Sequence, residues 1–292
     1  MGAYLELAIT IFFFSTFELV SKTTVGYIHP LQLNFLRFLF GGLILLPLAI
    51  PFFKRQRLTF KDFGRLLVLG ILGVSISLSL LQYSITRISA STAAVLFCTN
   101  PLFVTFFAGP LLQEKSTKYH LGGLLAGLGG IILICLDGIT TSSFDALGIL
   151  LAVLSAITYA MYTVYSKVCL RSMPGSVINS ISFVLGSLVL LPALAKLNLP
   201  LFTFPVKIMP QMLYLIIAAT AVAYYFFLSA LSKLPATIGS LVFLIKPALA
   251  TFLAWLILKE PITLLQIAGI GLVTCSVLVI KQGAKQQKKR TE

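Results

Sequence analysis

The chain has 292 residues, of which 58% are hydrophobic and only 10% are charged, whereas soluble domains carry about 25% charged residues. This composition excludes an ordinary soluble domain and predicts an integral membrane protein. The formal net charge of +14 would suit a nucleic-acid binder. The basic residues are distributed as membrane topology requires, however, so we expect no nucleic-acid partner.

Ten apolar segments approach the ~20 residues that a helix needs to cross the hydrocarbon layer of a bilayer. Their length and continuous hydrophobicity exclude the short alternating strands of a membrane barrel. We therefore predict an all-α integral membrane protein with ten transmembrane helices, named spans 1 to 10. In chain order the spans cover residues 3–21, 30–51, 64–83, 90–112, 121–138, 146–166, 176–195, 208–229, 236–258 and 263–281.

The basic residues indicate how the spans are oriented. With the N-terminus in the cytoplasm, 15 Lys and Arg residues fall on the cytoplasmic side and 5 on the outer side, while Arg37 and Lys246 lie inside spans. Positive charge accumulates on the cytoplasmic side of membrane proteins. The bias therefore predicts that both termini are cytoplasmic.

The sequence offers no chemistry for catalysis or metal binding. The four cysteines lie in or beside spans without a redox or metal-binding spacing, which indicates buried thiols. His29 and His120 lie in loops on opposite sides of the membrane. Zinc-protease, serine-hydrolase and nucleotide-binding motifs are absent from the sequence, so we expect no metal, no cofactor and no catalytic residue.

The second half of the chain repeats the first. A shift of 145 residues aligns Asn34 with Asn179, and a shift of 146 aligns Pro101 with Pro247. Each unit has five spans, an odd number, so the second copy enters the membrane from the opposite side, as in the inverted repeats of secondary transporters. We expect the two units to form one transport domain. The units are residues 1–145 and residues 146–292.

These features resemble the drug/metabolite transporter superfamily, and its EamA-type branch in particular. The resemblance rests on the five-plus-five repeat, on Asn100 with Pro101 and Lys246 with Pro247 in spans 4 and 9, and on a glutamate that closes each of those spans. It implies an inner-membrane carrier of small metabolites, with spans 1, 3, 4, 6, 8 and 9 around a central cavity. Spans 5 and 10 would pack outside. The superfamily carries amino acids, nucleosides, sugars and amines, so the resemblance names no substrate.

Glu114 and Glu260 are the two closing glutamates, and each precedes a threonine by three residues. Both lie at the turn into the next span. Side chains of this kind cap the unpaired backbone groups at helix ends. We expect a structural role for them rather than a role in transport.

Lys246 interrupts an apolar stretch of 23 residues, Ala236 to Leu258. It lies roughly 15 Å from the inner edge, at the midplane, and Asn100 lies about as deep from the outer edge. A lysine there is costly unless it pairs or faces water, so by default it marks a substrate site. The alternative is a lysine bonded to backbone carbonyls, such as one freed by Pro247. Pro101 and Pro247 are expected to kink their helices at this depth.

Glu18 and Arg37 share a layer in the outer third of the membrane, roughly 22 Å above Ala3 and about 10 Å below Pro30. Charges inside membranes usually pair, so a structural ion pair between them is expected. A role in substrate binding or in an outer gate is the alternative. Lys246, by contrast, has no acid at its own estimated depth.

Polar side chains on spans 3, 6 and 8 add to the candidate site. Tyrosine and serine hydroxyls in an apolar environment need partners, so these faces should point inward. Ligand binding and bonding between helices both account for them. The candidates are Ser79, Gln82, Tyr159, Tyr162 and Tyr224.

A cation at mid-depth favours an anionic or zwitterionic metabolite, and an amino acid-like carboxylate most of all. We predict a secondary transporter that works by alternating access in the plasma membrane, with export as the expected direction. The expected partners are a small-molecule substrate, the bilayer and, as a candidate coupling ion, the proton; the protein is expected to be a monomer. The alternatives are a proton-coupled carrier of organic cations that uses Glu18, and a lipid head-group flippase.

Overall fold

A computed structural model describes residues 2–112, 145–234, 242–260 and 262–291, together with residues 119, 122–123, 125–127, 129–130, 132–133 and 136. Helices and their connections make up these residues, which include no β-strand. The predicted all-helical membrane fold is confirmed. Seven helices are long and apolar enough to cross a membrane, and shorter apolar helices cover Leu249–Leu258 and Leu264–Ser276.

Nine helices are named here in chain order. α1 to α4 coincide with spans 1 to 4, and α5 to α9 with spans 6 to 10, while most of span 5 lies outside the described residues. The helices are α1 (Ala3–Thr23), α2 (Pro30–Phe53), α3 (Phe60–Arg87), α4 (Ala90–Leu112), α5 (Ala146–Cys169), α6 (Gly175–Lys196), α7 (Val206–Lys233), α8 (Val242–Leu253, continued by Ala254–Leu258) and α9 (Leu264–Thr291).

Local capping decides where several helices begin. α3 starts four residues before the predicted span because Thr59 and Asp62 form a reciprocal capping box, which satisfies two backbone donors at a helix start. The Asp145 carboxylate accepts from the Gly148 N–H at 2.7 Å and starts α5. The hydrophobic pattern alone gave the apolar part of α3 and missed its polar first turn.

Glu260 closes α8 and caps a helix from the first half of the chain. Its carboxylate accepts from the backbone N–H groups of Ala90 and Ser91 at 2.9 and 3.1 Å, and from the Ser91 hydroxyl at 2.7 Å. A carboxylate at a helix N-terminus binds unpaired donors and the positive end of the helix dipole. Glu260 is thus a cap, but of α4 rather than of the next helix. Thr263 starts that next helix by accepting from the Gln266 N–H, and Glu114 lies outside the described residues.

The two halves of the chain interlock. α1 packs mainly against α7 and α8, both from the second half, and α5 packs mainly against α3 and α4 from the first. α2 packs extensively against α6. The core of the molecule is therefore built from both halves.

Two glycines allow α3 and α6 to cross at backbone contact. A Cβ on Gly70 would lie 2.4 Å from the Ser182 carbonyl oxygen, and one on Gly186 would lie 2.4 Å from the Gly70 carbonyl oxygen. The Ser75 hydroxyl donates to the Gly186 carbonyl at 2.7 Å in the same place. Small residues at such crossings let membrane helices pack by close backbone contact.

α3 and α7 each contain a π-helical stretch, Ile71–Leu78 and Ile217–Val222. Widened turns leave carbonyls without their usual helical partner and occur often at functional sites. Asn34 Nδ2 donates to the Val74 carbonyl at 2.8 Å, and Asn179 Nδ2 donates to the Tyr224 carbonyl at 2.8 Å. Two equivalent asparagines therefore bind backbone carbonyls within or just after the widened turns.

Candidate functional site

A small cavity, lined by buried residues, lies among α1, α2, α3, α4, α5, α7 and α8. Its volume is about 10 Å³, which is close to the space that a single water molecule needs. No metabolite fits a cavity of this size without movement of the helices. The lining residues are Phe14, Phe17, Arg37, Leu78, Leu81, Phe97, Tyr159, Tyr224 and Lys246.

Lys246 is ion-paired with Glu18 at this cavity. The ammonium donates to Glu18 Oε1 at 2.5 Å, and each residue is only 1% exposed. The Lys246 Nζ also lies 4.8 Å from the ring centroid of Phe97, a distance at which the ring face attracts a cation. Among the described residues, Glu18 Oε2 has no hydrogen-bond partner.

This pair corrects the expectation that Glu18 binds Arg37 and that Lys246 has no acid at its depth. The depth estimates placed the two Cα atoms ~7 Å apart along the membrane normal. They took no account of the length of the lysine and glutamate side chains, which reach toward each other. Residues 228 positions apart in the chain are brought together because α1 packs against α8.

Arg37 is held by aromatic rings and hydroxyl groups. Its Nε donates to Thr220 Oγ1 at 2.5 Å, and its guanidinium carbon lies 4.1 Å from the Phe17 ring centroid and 4.6 Å from that of Phe38. The Tyr224 hydroxyl also interacts with the guanidinium. Within the described part of the chain, Arg37 Nη1 has no hydrogen-bond partner and no carboxylate is ion-paired with Arg37.

The charges around the cavity do not balance. Among the described residues, Arg37 and Lys246 each carry a positive charge and Glu18 carries the opposing negative charge, so one positive charge remains. All three side chains are almost completely buried. In a low-dielectric interior such an excess attracts an anion far more strongly than it would in water.

Aromatic residues form the walls of the cavity. Tyr159 from α5 and Tyr224 from α7 line it, and the Tyr162 ring packs 5.3 Å from that of Tyr159. The Phe14 ring lies edge-on to Tyr224 at 4.9 Å. Two of the three candidate tyrosines therefore face the cavity, and the third packs behind them.

The remaining candidates lie outside the cavity lining. Asn100 Nδ2 donates to the Ala156 carbonyl of α5 at 3.0 Å. The Ser79 hydroxyl accepts from Asn34 Nδ2 and donates to the Val74 carbonyl, so its bonds join α2 to α3. Gln82 is buried, and its Oε1 has no hydrogen-bond partner among the described residues.

The two prolines differ in their local effect. α4 is interrupted at Cys98 and Thr99, directly before Asn100 and Pro101. Pro247 instead lies inside the continuous helical run Val242–Leu253. Lys246 thus projects from a helix, whereas the equivalent Asn100 begins one.

Sequence reasoning missed Phe17, Phe97 and Thr220. Nothing in the sequence distinguishes the two phenylalanines from the other apolar residues of their spans. Thr220 lies in the π-helical stretch of α7, and its hydroxyl bonds both Arg37 and the Leu215 carbonyl. A hydroxyl inside an apolar span that contains few polar groups was the available signal.

Comparison with known proteins places the chain in a family. The model of the EamA-like transporter family matches residues 1–136 and again residues 146–282. An uncharacterized transporter of Clostridium kluyveri is 38% identical over 286 residues, which cover 94% of this chain and 92% of that protein. The uncharacterized transporter YetK of Bacillus subtilis is 28% identical, with 98% of this chain and 88% of YetK covered.

The crystal structure of another protein has the same fold. It superposes with a TM-score of 0.72 at 21% sequence identity and covers 98% of each chain. Apolar helices, a buried charged cavity and the two family matches together describe a multi-pass membrane transporter. The chain belongs to the EamA-like transporter family, within the drug/metabolite transporter superfamily.

Proposed function

We propose that the protein is a secondary transporter of small anionic or zwitterionic metabolites that works by alternating access. The observation that carries the proposal is the excess positive charge at the buried cavity, where Arg37 and Lys246 have Glu18 as their one nearby carboxylate among the residues that the structure describes. This site attracts a ligand that carries a negative charge. A cationic ligand would raise its charge further at a high electrostatic cost.

Arg37 and Lys246 are proposed to hold the two oxygens of a substrate carboxylate. Arg37 Nη1 is a buried donor without a partner among the described residues, and a charge-assisted bond to a carboxylate satisfies it. Tyr159 and Tyr224 line the same cavity and would orient the rest of the molecule. Amino acid-like carboxylates are the favoured substrates because they offer one carboxylate on a small body.

The two units are proposed to be related by inverted topology, with residues 1–145 and 146–292 entering the membrane from opposite sides. Support comes from the two family matches, and from the π-helical stretches that begin at Ile71 and Ile217, an offset of 146 residues. Alternating access then consists of one set of helices rocking against the other around the cavity.

Both termini are proposed to lie in the cytoplasm, with the protein a monomer in the plasma membrane that exports its substrate and catalyses no reaction. Two ion pairs join helix ends that this topology places on the same side. Arg87 at the end of α3 pairs with Asp145 before α5 at 3.0 Å, and Lys233 at the end of α7 pairs with Glu6 of α1 at 2.5 Å.

A carrier of organic cations is disfavoured by the same geometry. Such a carrier needs an available carboxylate at its centre, and the Glu18 carboxylate is bound by Lys246. A lipid head-group flippase is the other alternative, and it would scramble lipids in liposomes rather than take up a solute.

The test uses purified protein in liposomes and measures uptake of labelled organic anions, amino acids and quaternary amines. We expect saturable uptake of an anion or amino acid that falls at least about tenfold in Arg37→Met, since a charged hydrogen bond is worth about 1.5–3 kcal/mol. The control, Arg171→Met, makes the same chemical change at an exposed residue. Preference for quaternary amines, or lipid scrambling without solute uptake, would contradict the proposal.

A further inference from the structure

The two carboxylate oxygens of Glu18 differ in their hydrogen bonding. Its Oε1 accepts from Lys246, while its Oε2 is buried with no hydrogen-bond partner among the described residues. Among the described residues, the titratable and charged groups around the Glu18 and Lys246 pair come from four other helices: Arg37 of α2, Cys98 of α4, Tyr159 of α5 and Tyr224 of α7. Lys246 is the one at hydrogen-bond distance from the carboxylate.

We propose that Glu18 binds a proton when an anionic substrate takes over Lys246, so that anion and proton travel through the carrier together. This proposal rests on the proposed function and deepens it. It assigns the coupling ion and the residue that binds it, and it limits proton coupling to substrates with a net negative charge.

Competition for one ammonium group is the basis of the coupling. Lys246 is 1% exposed and lies against the Phe97 ring, so a substrate carboxylate that reaches its Nζ displaces Glu18 Oε1. The released carboxylate stays buried, and the cavity that Lys246 lines has room for only about one water. An ionised carboxylate without a partner is very costly there, and such groups take up a proton instead.

Arg37 does not rescue the displaced carboxylate. Its Nε already donates to Thr220, and its two faces are covered by Phe17 and Phe38. Its Nη1 donates to the second oxygen of the substrate carboxylate. The charges also balance. The substrate brings one negative charge and the proton one positive charge, Lys246 exchanges one carboxylate for another, and Glu18 becomes a neutral acid.

Release reverses the exchange on the other side of the membrane. When the substrate leaves Lys246, the ammonium again favours an ionised Glu18, whose proton passes to water on that side. A zwitterion behaves differently because its own ammonium can replace Lys246 beside Glu18, and no proton is then required. Proton coupling is therefore expected for net anions.

The central claim can be tested without a substrate. Lys246→Met removes the cation in the way that substrate binding would, and infrared spectroscopy reads the protonation of Glu18 through its carboxylic acid C=O stretch. At neutral pH, the spectrum of Lys246→Met minus that of Lys246→Met/Glu18→Gln should show the band of a single carboxylic acid. The same difference between wild type and Glu18→Gln should show none, and Lys246→Arg, which keeps the cation, should behave as wild type.

Each other outcome overturns the proposal. An ionised Glu18 in folded Lys246→Met would show that the carboxylate does not need a proton. The same conclusion follows if Lys246→Met fails to fold while the double variant folds, because the unfolding would then report a buried charge. Failure of anion uptake in liposomes would instead speak against the proposed function alone, since the infrared signal involves no transport.

Discussion

Lys22 and Lys167 make the same contact at two places in the fold. Each ammonium group donates to two carbonyl oxygens at the C-terminal end of a helix, at 2.6–2.8 Å, with Lys22 closing α3 and Lys167 closing α7. The two lysines are 145 residues apart and their acceptors 146 apart. A cation at a helix C-terminus binds unpaired carbonyls and the negative end of the dipole. The acceptors are Ile85 and Ile88 for Lys22, and Leu231 and Leu234 for Lys167.

Lys22→Met and Lys167→Met should therefore destabilise the protein to a similar extent. Each loses charged hydrogen bonds to partly buried carbonyls, and we expect about 1.5–3 kcal/mol per variant. Thermal unfolding in detergent measures the loss, with exposed Lys196→Met as the control. A neutral effect at one site and a large one at the other would show that the two contacts are not equivalent.

Glu18 and Lys246 should behave as one unit in a double-variant cycle. Glu18→Gln leaves Lys246 as a buried cation without its carboxylate, which costs about 3–5 kcal/mol. Lys246→Met should cost less, because Glu18 can take up a proton and become neutral. The double variant removes both charges, so its loss of stability should be smaller than the sum of the two single losses by more than about 1 kcal/mol. Strictly additive losses would contradict the pairing.

Arg37→Lys tests whether the shape of the guanidinium matters as well as its charge. A lysine keeps the positive charge but cannot bond Thr220 and offer a second donor in the same fixed plane, nor stack on Phe17 as a planar group. We expect a folded protein whose apparent affinity for an anionic substrate falls about tenfold or more, measured as the KM of liposome uptake. Wild-type affinity in Arg37→Lys would mean that charge alone attracts the substrate.

Gly70→Ala and Gly64→Ala form a matched pair on α3. The new Cβ at position 70 would meet the Ser182 carbonyl oxygen at 2.4 Å, whereas position 64 has nothing within 4 Å. We expect Gly70→Ala to lose about 1–3 kcal/mol through overpacking, and Gly64→Ala to gain about 0.5–1 kcal/mol of helix propensity. Thermal midpoints in one detergent give the comparison. Equal midpoints would mean that α3 and α6 are not in backbone contact.

Asp145 supplies a pH-dependent contribution at a loop outside the membrane. The hydrogen bond from Arg87, supported by the Gly148 N–H, holds the pKa of the Asp145 carboxyl below its ordinary value of 3.8. A lowered pKa in the folded state adds stability that is present above the ordinary value and is lost as the pH falls through the folded value. Asp145→Asn keeps a capping side chain without the charge. The stability difference from wild type should thus shrink below about pH 4, and a difference independent of pH would refute this.

The helices were predictable from the sequence because a membrane span needs a long apolar run, and such runs are visible directly. Their polar ends were less so. α3 begins at Phe60 because of the Thr59 and Asp62 capping box, which lies outside the apolar pattern. The sequence predicted that Glu260 caps a helix. It could not predict that this helix is α4, because that depends on which helix ends lie next to each other in the fold.

The pairing of charges was predicted wrongly because depth along the membrane is one coordinate out of three. Glu18 and Arg37 share a layer, yet the faces of α1 and α8 meet, and the long lysine side chain spans the difference in depth. The structure pairs Glu18 with Lys246, whereas Arg37 has Phe17 and Phe38 against its faces.

The small volume of the buried cavity, about 10 Å³, also limits how fast any ligand can bind. Helices must part before a molecule enters, so the observed association rate should level off as ligand concentration rises, at a plateau set by opening alone. Apparent affinities are then weaker than intrinsic ones by the fraction of molecules that are open. Dissociation rates, rather than association rates, will therefore distinguish one ligand of this carrier from another.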